Sequence, residues 1–136
     1  MTGVSVLVGT LVIATLAGLV MKVRNGRVRA AAPAPDLPPD VAALLAPAGV
    51  TLLQLSTTFC APCRHTRVLL SDLAARTDGL HHTEIDLTDR PELAKALSVL
   101  RTPTTLAIDG SGTEILRVGG VPKRDELLAA LQPHLS

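Results

Sequence analysis

The first twenty-one residues constrain the fold most strongly, because this run contains no charged side chain and is predominantly apolar. As an α-helix rising about 1.5 Å per residue, such a run spans roughly 30 Å, the thickness of one bilayer core. A soluble chain of 136 residues has no core that could surround a helix that is apolar on every side. Residues 1–21 are therefore predicted to form one transmembrane helix.

Four basic residues follow the apolar run, and no charged side chain precedes it: Lys22, Arg24, Arg27 and Arg29. An excess of Lys and Arg marks the cytoplasmic end of a membrane helix, so the remainder of the chain is predicted to be cytoplasmic. A cleaved signal peptide would carry its charges before the apolar run. The alternative is an extracytoplasmic domain, because a compact domain can be translocated despite nearby charge. The four cations can bind anionic headgroups or remain solvated.

Residues 22–39 are predicted to be a basic and Pro/Ala-rich linker, because the four prolines among residues 30–39 favour an extended tether. A single domain is predicted over residues 40–136. From Ala30 onward, nine basic and twelve acidic residues leave a net charge of −3. This balance, with Phe59 as the one aromatic residue, excludes a nucleic-acid-binding protein that stacks bases on aromatic rings.

Hydrophobic periodicity over residues 40–136 predicts alternating helices and strands. Strands are predicted at 50–56, 81–87, 103–109 and 114–118, and helices at 40–46, 60–76, 90–100 and 123–134. Val68 and Leu100 are expected on the inward faces of their helices. This alternation predicts an α/β fold, in which a sheet carries helices on both faces.

The segment Cys60-Ala61-Pro62-Cys63 lies between a predicted strand and a predicted helix. The free N–H groups and the dipole at a helix start stabilise a thiolate on Cys60, and the thiolate is the nucleophile in disulfide exchange. Cys63 lies one turn further and can resolve the mixed disulfide. Pro62 suits the first turn, where an N–H has no helical partner.

Three other interpretations of the cysteine pair remain open. The pair could be half of a metal site, although no second C-x-x-C exists and His65, His81 and His82 are the available nitrogen ligands. It could also be a purely structural disulfide, although so short a loop stabilises little. Finally, the two residues could be unrelated free cysteines.

Three motifs, in order, make the segment from about Val50 to Ser136 resemble the thioredoxin family. They are F-C-A-P-C at 59–63, L-R-T-P-T at 100–104 and R-V-G-G at 117–120, and I-D at 85–86 also matches the end of a family strand. The resemblance implies a thioredoxin-like three-layer sandwich with a mixed four-stranded sheet, here preceded by one transmembrane helix.

The resemblance also implies roles for the matched residues. Cys60 becomes the attacking thiol and Cys63 the resolving thiol. Pro103 is expected in a cis peptide against the pair, with the backbone of Thr102 pairing with an extended substrate segment. The remaining substrate-binding residues implied by the family are Phe59, Ala61, Pro62 and Gly119.

The sequence departs from the family at three positions near the pair. Phe59 and Ala61 replace the usual Trp and Gly. Gln54 stands where the family buries an Asp thought to manage the proton of the resolving thiol, and Gln cannot take up a proton near neutral pH.

Together these features predict a membrane-tethered thiol–disulfide oxidoreductase, a protein-disulfide reductase that exchanges two electrons with protein thiols and disulfides in cell redox homeostasis. The lack of a His between the cysteines favours a reductant. No organic cofactor, metal or nucleic-acid partner is expected, and the chain is expected to be monomeric. The alternative is a redox-vestigial binding module that holds a partner at the cis-Pro edge.

Overall fold

The computed structural model describes residues 1–30 and 37–135, and residues 31–36 of the predicted linker lie outside the described part. The described residues form five α-helices, one short 3-10 helix and one five-stranded sheet. In chain order the elements are α1 (Thr2–Arg24), β1 (Val28–Ala30), α2 (Pro39–Ala42), β2 (Val50–Ser56), α3 (Ala61–Arg76), β3 (Leu80–Asp86), α4 (Pro91–Ala96), β4 (Thr104–Asp109), β5 (Glu114–Gly119), α5 (Arg124–Leu131) and the 3-10 helix Gln132–His134.

The sheet is mixed, as predicted, with the strand order β1-β5-β4-β2-β3. β2 pairs in parallel with β3, and the other three pairings are antiparallel. The sheet nevertheless has five strands where the sequence predicted four. The additional strand, β1, lies within the segment predicted to be linker, and it pairs with the otherwise open edge of β5.

The core lies on both faces of β2, which is buried along its whole length. Side chains of a strand alternate between faces, so successive residues enter different clusters. Leu52 packs in a cluster with residues of α3 and α5. Leu53 packs in a second cluster with residues of α2 and α4. Helices therefore cover both faces of the sheet, which confirms the thioredoxin-like α/β arrangement.

Some residues predicted to face the core are exposed, and Val68 and Leu100 are the large apolar ones. Val68 is 66% exposed because α3 buries the face that carries Thr66 and Leu70, and Val68 lies two residues, or about 200°, from each. Leu100 is 98% exposed because α4 ends before it is reached. Ser98 has a φ of 55°, a left-handed conformation that ends the helical path, so the predicted helix 90–100 was too long.

Helix α1 has the length and apolar composition of a membrane-crossing helix, and none of its residues is buried. The chain joins the sheet directly after α1, where the N–H of Gly26 donates to the Gly119 carbonyl at 2.8 Å. Gly26 has a φ of 75°, and a Cβ there would lie 2.2 Å from the Val121 carbonyl oxygen. Glycine at this position therefore allows the segment to pack against the end of β5.

Candidate active site

The cysteine pair lies at the start of α3, in the connection that follows β2, as the sequence predicts. Cys60 is the N-cap residue of α3, and it forms a disulfide with Cys63 across a Cα–Cα distance of 5.2 Å. Pro62 occupies the first turn of the helix, where the missing N–H costs no helical hydrogen bond.

The two cysteines differ in their exposure to solvent. Cys60 is partly exposed, whereas Cys63 is only 1% exposed. The N–H of Cys63 donates to Cys60 Sγ at 3.2 Å. After reduction, this N–H and the positive end of the helix dipole stabilise a thiolate on Cys60. The arrangement leaves one cysteine of the pair accessible from outside and the other buried within the fold.

The residues flanking Cys60 form an apolar surface. Phe59 is 98% exposed, and Ala61 and Pro62 are exposed beside it. An unburied aromatic side chain next to a reactive sulfur offers contact area to an incoming polypeptide. These positions agree with the substrate-binding roles that the family resemblance implies, and those roles stay predictions.

The second motif lies next to the loop that precedes the cysteines. The Thr102–Pro103 peptide is cis, as expected, and Pro103 is buried. The hydroxyl oxygens of Thr57 and Thr102 lie 3.4 Å apart, which brings the loop after β2 against the cis-Pro loop. The sheet thus places the two motifs side by side although more than thirty residues separate them in sequence.

The third motif is bonded to the cis-Pro loop. The N–H of Gly120 donates to the Pro103 carbonyl at 2.8 Å, and Gly119 is the register partner of Thr104. The carbonyl of Gly119 accepts hydrogen bonds from the Gly26 N–H at 2.8 Å and from Arg101 Nη2 at 3.0 Å. The segment after α1 therefore contacts the loop that carries Gly119.

Gln54 lies fully buried and connects β2 to the turn that carries Cys63. Its Nε2 donates to the Cys63 carbonyl at 2.8 Å and to Ser56 Oγ at 3.0 Å. Its Oε1 lies 2.9 Å from His82 Nε2. Every polar atom of this side chain therefore has a partner, which is what a buried amide requires.

The partners of Gln54 fix the proton positions around it. The Cys63 carbonyl can only accept, so the amide nitrogen faces it and Oε1 faces His82. Oε1 is itself only an acceptor, so His82 Nε2 carries the hydrogen. In the neutral ring, Nδ1 of His82 then accepts from the Ser71 hydroxyl, 3.1 Å away. The network therefore selects one neutral tautomer of His82.

A carboxylate ends the other branch of the network. The hydroxyl of Ser56 donates to Glu84 Oε2 at 3.0 Å. Arg67 of α3 donates through Nε to both oxygens of Glu84, at 2.9 and 3.0 Å. Charge-assisted bonds of this kind are stronger than neutral ones, so this pair links α3 to β3 beside the active site.

Burial lowers the pKa of His82 below its ordinary value. The negative charge of Glu84 opposes this shift, and the positive charge of Arg67 adds to it. His82 is therefore held towards its neutral form near neutral pH, in agreement with the tautomer that Gln54 requires.

Sequence reasoning identified Gln54 only as a departure from the family and did not assign Ser56 or Glu84 to the site. His82 was considered only as a metal ligand. The feature that could have identified these residues was the parallel pairing of β2 with β3, which places Gln54 opposite Glu84.

Within the described ranges 1–30 and 37–135, no three His, Cys, Asp or Glu side chains form a cluster that could hold a metal ion.

Comparison with known proteins gives a consistent result. A family model described as Thioredoxin matches residues 41–133. Thioredoxin H2-2 of Oryza sativa subsp. japonica is 35% identical over 81 residues, which are 60% of this chain and 59% of the rice protein. The matched segment thus spans less than two thirds of that relative. A thioredoxin of Staphylococcus saprophyticus is 28% identical over 88 residues, 64% of this chain and 84% of the relative.

Solved structures support the same fold. A mutant thioredoxin from Halobacterium salinarum superposes with a TM-score of 0.64 at 21% identity, covering 74% of this chain and 88% of the other. Thioredoxin F from spinach chloroplast superposes with a TM-score of 0.56 at 25% identity, covering 64% of this chain and 77% of the other.

Proposed function

Because the chain belongs to the thioredoxin family and carries the cysteine pair of a thiol–disulfide oxidoreductase, we propose that it is a membrane-anchored reductase of protein disulfides that serves cell redox homeostasis. One observation carries this proposal: Cys60 is partly exposed at the start of α3, whereas Cys63 is buried beneath it. Such a pair separates the attacking role from the resolving role.

The proposed reaction begins with the reduced pair. The thiolate of Cys60 attacks one sulfur of a substrate disulfide, forming a mixed disulfide and releasing the other substrate sulfur as a thiolate. Cys63 then loses its proton and attacks the Cys60 sulfur, which releases the second substrate thiolate and closes the Cys60–Cys63 disulfide. Two electrons pass to the substrate, and a dithiol donor returns them to the pair.

The substrate is proposed to bind as an extended segment across the three motifs. The backbone of Thr102 pairs with it by strand addition, while Phe59, Ala61 and Pro62 contact its side chains. Gly119 lacks a side chain, and the guanidinium of Arg101 lies within 3.0 Å of where its Cβ would be, so this edge carries a cation beside the groove. Pro103 positions this edge. The cysteine pair itself stores the electrons, so the reaction uses no bound organic cofactor or metal, and a monomer suffices.

Helix α1 is proposed to anchor the protein in a membrane with the domain on the cytoplasmic side. The support for this proposal is the apolar helix together with the basic residues that follow it.

Fusion of alkaline phosphatase after Ser136 tests on which side of the membrane the domain lies, because this enzyme needs disulfides to fold. An inactive fusion agrees with the proposal. Strong activity places the domain outside and redirects the function to cell-envelope disulfides.

Insulin reduction tests the enzymatic proposal. The full chain in detergent micelles, supplied with dithiothreitol, should accelerate insulin precipitation above the rate with dithiothreitol alone. Cys60→Ser should lose this acceleration completely. Cys63→Ser should also lose turnover but should accumulate a mixed disulfide through Cys60, visible on a non-reducing gel. The matched control is wild-type protein that has been reduced and then alkylated, because this chain has the wild-type sequence but no free thiols.

A binding module that holds a partner at the Thr102–Pro103 edge is the second candidate. Two features favour it: Gln54 cannot accept the proton of the resolving thiol, and Phe59 presents an almost fully exposed aromatic surface. Partner capture that persists in Cys60→Ser, combined with no insulin reduction by the wild type, would establish this function instead.

A further inference from the structure

A cleft of about 810 Å³ opens between the end of α1 and the cis-Pro loop. None of the described residues that line it is acidic. Its cationic side chains come from two parts of the chain, the segment after α1 and the folded domain: Lys22, Arg24, Arg27, Arg29, Arg101 and Arg117. Six cations around one cleft give it a strongly positive potential.

The pairing of β1 with β5 holds these two groups of cations together. Arg29 of β1 lies directly opposite Arg117 of β5. This register brings a cation of the segment after α1 next to a cation of the folded domain at the cleft. Arg117 pairs with Glu114 at 2.8 Å, and it is the one cleft cation that takes part in an ion pair between described residues.

The remaining lining identifies the environment of the cleft. Met21, in the last turn of α1, is 72% exposed, and Leu100, which precedes the cis-Pro peptide, is 98% exposed. If α1 spans a membrane, Met21 and Lys22 lie at the boundary between acyl chains and headgroups. Exposed apolar side chains next to cations match the two chemical zones of that boundary.

We infer that this cleft binds the headgroup phosphates of anionic phospholipids in the leaflet at the C-terminal end of α1. The inference rests on the proposed membrane anchor. The cleft differs from a flexible basic tether because Arg101, which belongs to the folded domain, lines it together with the basic residues after α1. An acidic polypeptide would satisfy the cations but would leave Met21 and Leu100 without apolar contact.

Lipid binding here also determines where the enzyme acts. Thr104 and Gly119 line the same cleft and adjoin Thr102–Pro103. A lipid bound in the cleft holds this edge at the membrane surface. The substrates that fit this placement are disulfides that lie close to the bilayer, in membrane proteins or in segments next to them.

Native mass spectrometry of the full chain tests this inference. The protein is inserted into nanodiscs of phosphatidylcholine and phosphatidylglycerol at a 3:1 ratio, and the lipids retained after release are counted. The wild type should retain phosphatidylglycerol in excess of its share of the bilayer. Arg101→Gln should lower its retention about fivefold, which corresponds to the ~1 kcal/mol that one basic residue contributes near an anionic membrane. Arg27→Gln should lower it similarly.

Arg64→Gln is the matched control. Arg64 is exposed on α3 and lies outside the cleft, and its substitution removes the same charge. Its retention of phosphatidylglycerol should equal that of the wild type. Equal losses in all three variants would show a dependence on net charge alone and overturn the inference. A loss with Arg27→Gln but not with Arg101→Gln would show a basic tether without a cleft, which also overturns it.

Two further outcomes separate this inference from the proposed function. A chain that fails to enter nanodiscs contradicts the membrane anchor and the lipid site together. A chain that enters but retains both lipids in bilayer proportion contradicts the lipid site alone. Displacement of phosphatidylglycerol by a soluble oligoglutamate peptide, but not by glycerol phosphate, would assign the cleft to an acidic polypeptide and overturn the lipid assignment.

Discussion

Replacing Gln54 with Leu removes every polar contact of the side chain that connects β2 to the Cys63 turn, at nearly constant volume. The change deletes hydrogen bonds to the Cys63 carbonyl, to Ser56 and to His82. Cys63 and Ser56 are buried, so water cannot replace these bonds. His82 is partly exposed and recovers part of its loss by rotating towards solvent.

Each lost hydrogen bond in a buried site costs about 0.5–1.5 kcal/mol, and an unsatisfied group costs more. Three lost bonds, reduced by the recovery at His82 and by the added apolar burial of Leu, give a net loss of about 2–4 kcal/mol in the free energy of unfolding. With a urea slope of about 1–2 kcal/mol per molar, the unfolding midpoint falls by roughly 2 M.

Thr105→Val provides a matched control on the neighbouring strand. Thr105 is the register partner of Gln54 on β4, and it is fully buried. Among the residues that the structure describes, its hydroxyl has no hydrogen-bond partner. Val has the same shape without the hydroxyl, so this substitution should leave stability unchanged or raise it by about 1 kcal/mol.

Urea unfolding in detergent, followed by far-UV circular dichroism, measures both effects, since the chain has no Trp or Tyr for fluorescence. The network account predicts a large loss for Gln54→Leu and none for Thr105→Val. A Gln54→Leu midpoint within about 0.3 M of the wild type would refute it, because such a shift is below the effect of one hydrogen bond.

Three further predictions concern the pair, the network and the tether. In the reduced protein at pH 7, iodoacetamide should modify Cys60 at least tenfold faster than the buried cysteine, as measured by peptide mass spectrometry. Burial lowers the pKa of His82, so its contribution to stability is complete above about pH 6.5 and is lost as pH falls through the folded-state pKa. The difference in urea midpoint between pH 7 and pH 5 should therefore shrink in His82→Gln. Gly26→Ala should release β1 and speed tryptic cleavage after residue 27, whereas Gly18→Ala, where a Cβ meets open space, should not.

Each of these predictions has a clear contrary result. Equal alkylation rates would contradict the assignment of attacking and resolving thiols. Identical acid sensitivity in His82→Gln and the wild type would remove His82 from the titrating network. Unchanged cleavage in Gly26→Ala would show that β1 tolerates a side chain at this turn.

The features of the site that depend on short spacing could be predicted from sequence. Cys60 at a helix start follows from the position of the pair after a predicted strand, whereas Pro103 in a cis peptide was implied only by the family resemblance of the L-R-T-P-T motif. β2 was predicted with the bounds that the structure has, because this short, largely apolar run suits a buried strand. The first turn of α3 likewise follows from the tolerance of Pro62 at that position.

The features that were missed depend on contacts between distant segments. β1 has three residues, too few for an alternating pattern, and it exists because it pairs with β5. The early end of α4 depends on the left-handed conformation of Ser98, which no periodicity reveals. Gln54 looked like the loss of a function, yet parallel pairing brings His82 and Glu84 into its network.

The reduction potential of the Cys60–Cys63 pair, measured on the full chain against glutathione redox buffers, tests the central claim most directly. A reductase of protein disulfides should have a potential near the value of about −270 mV that is typical of thioredoxin. A potential near about −120 mV, typical of a strong oxidant, would contradict the reductase account.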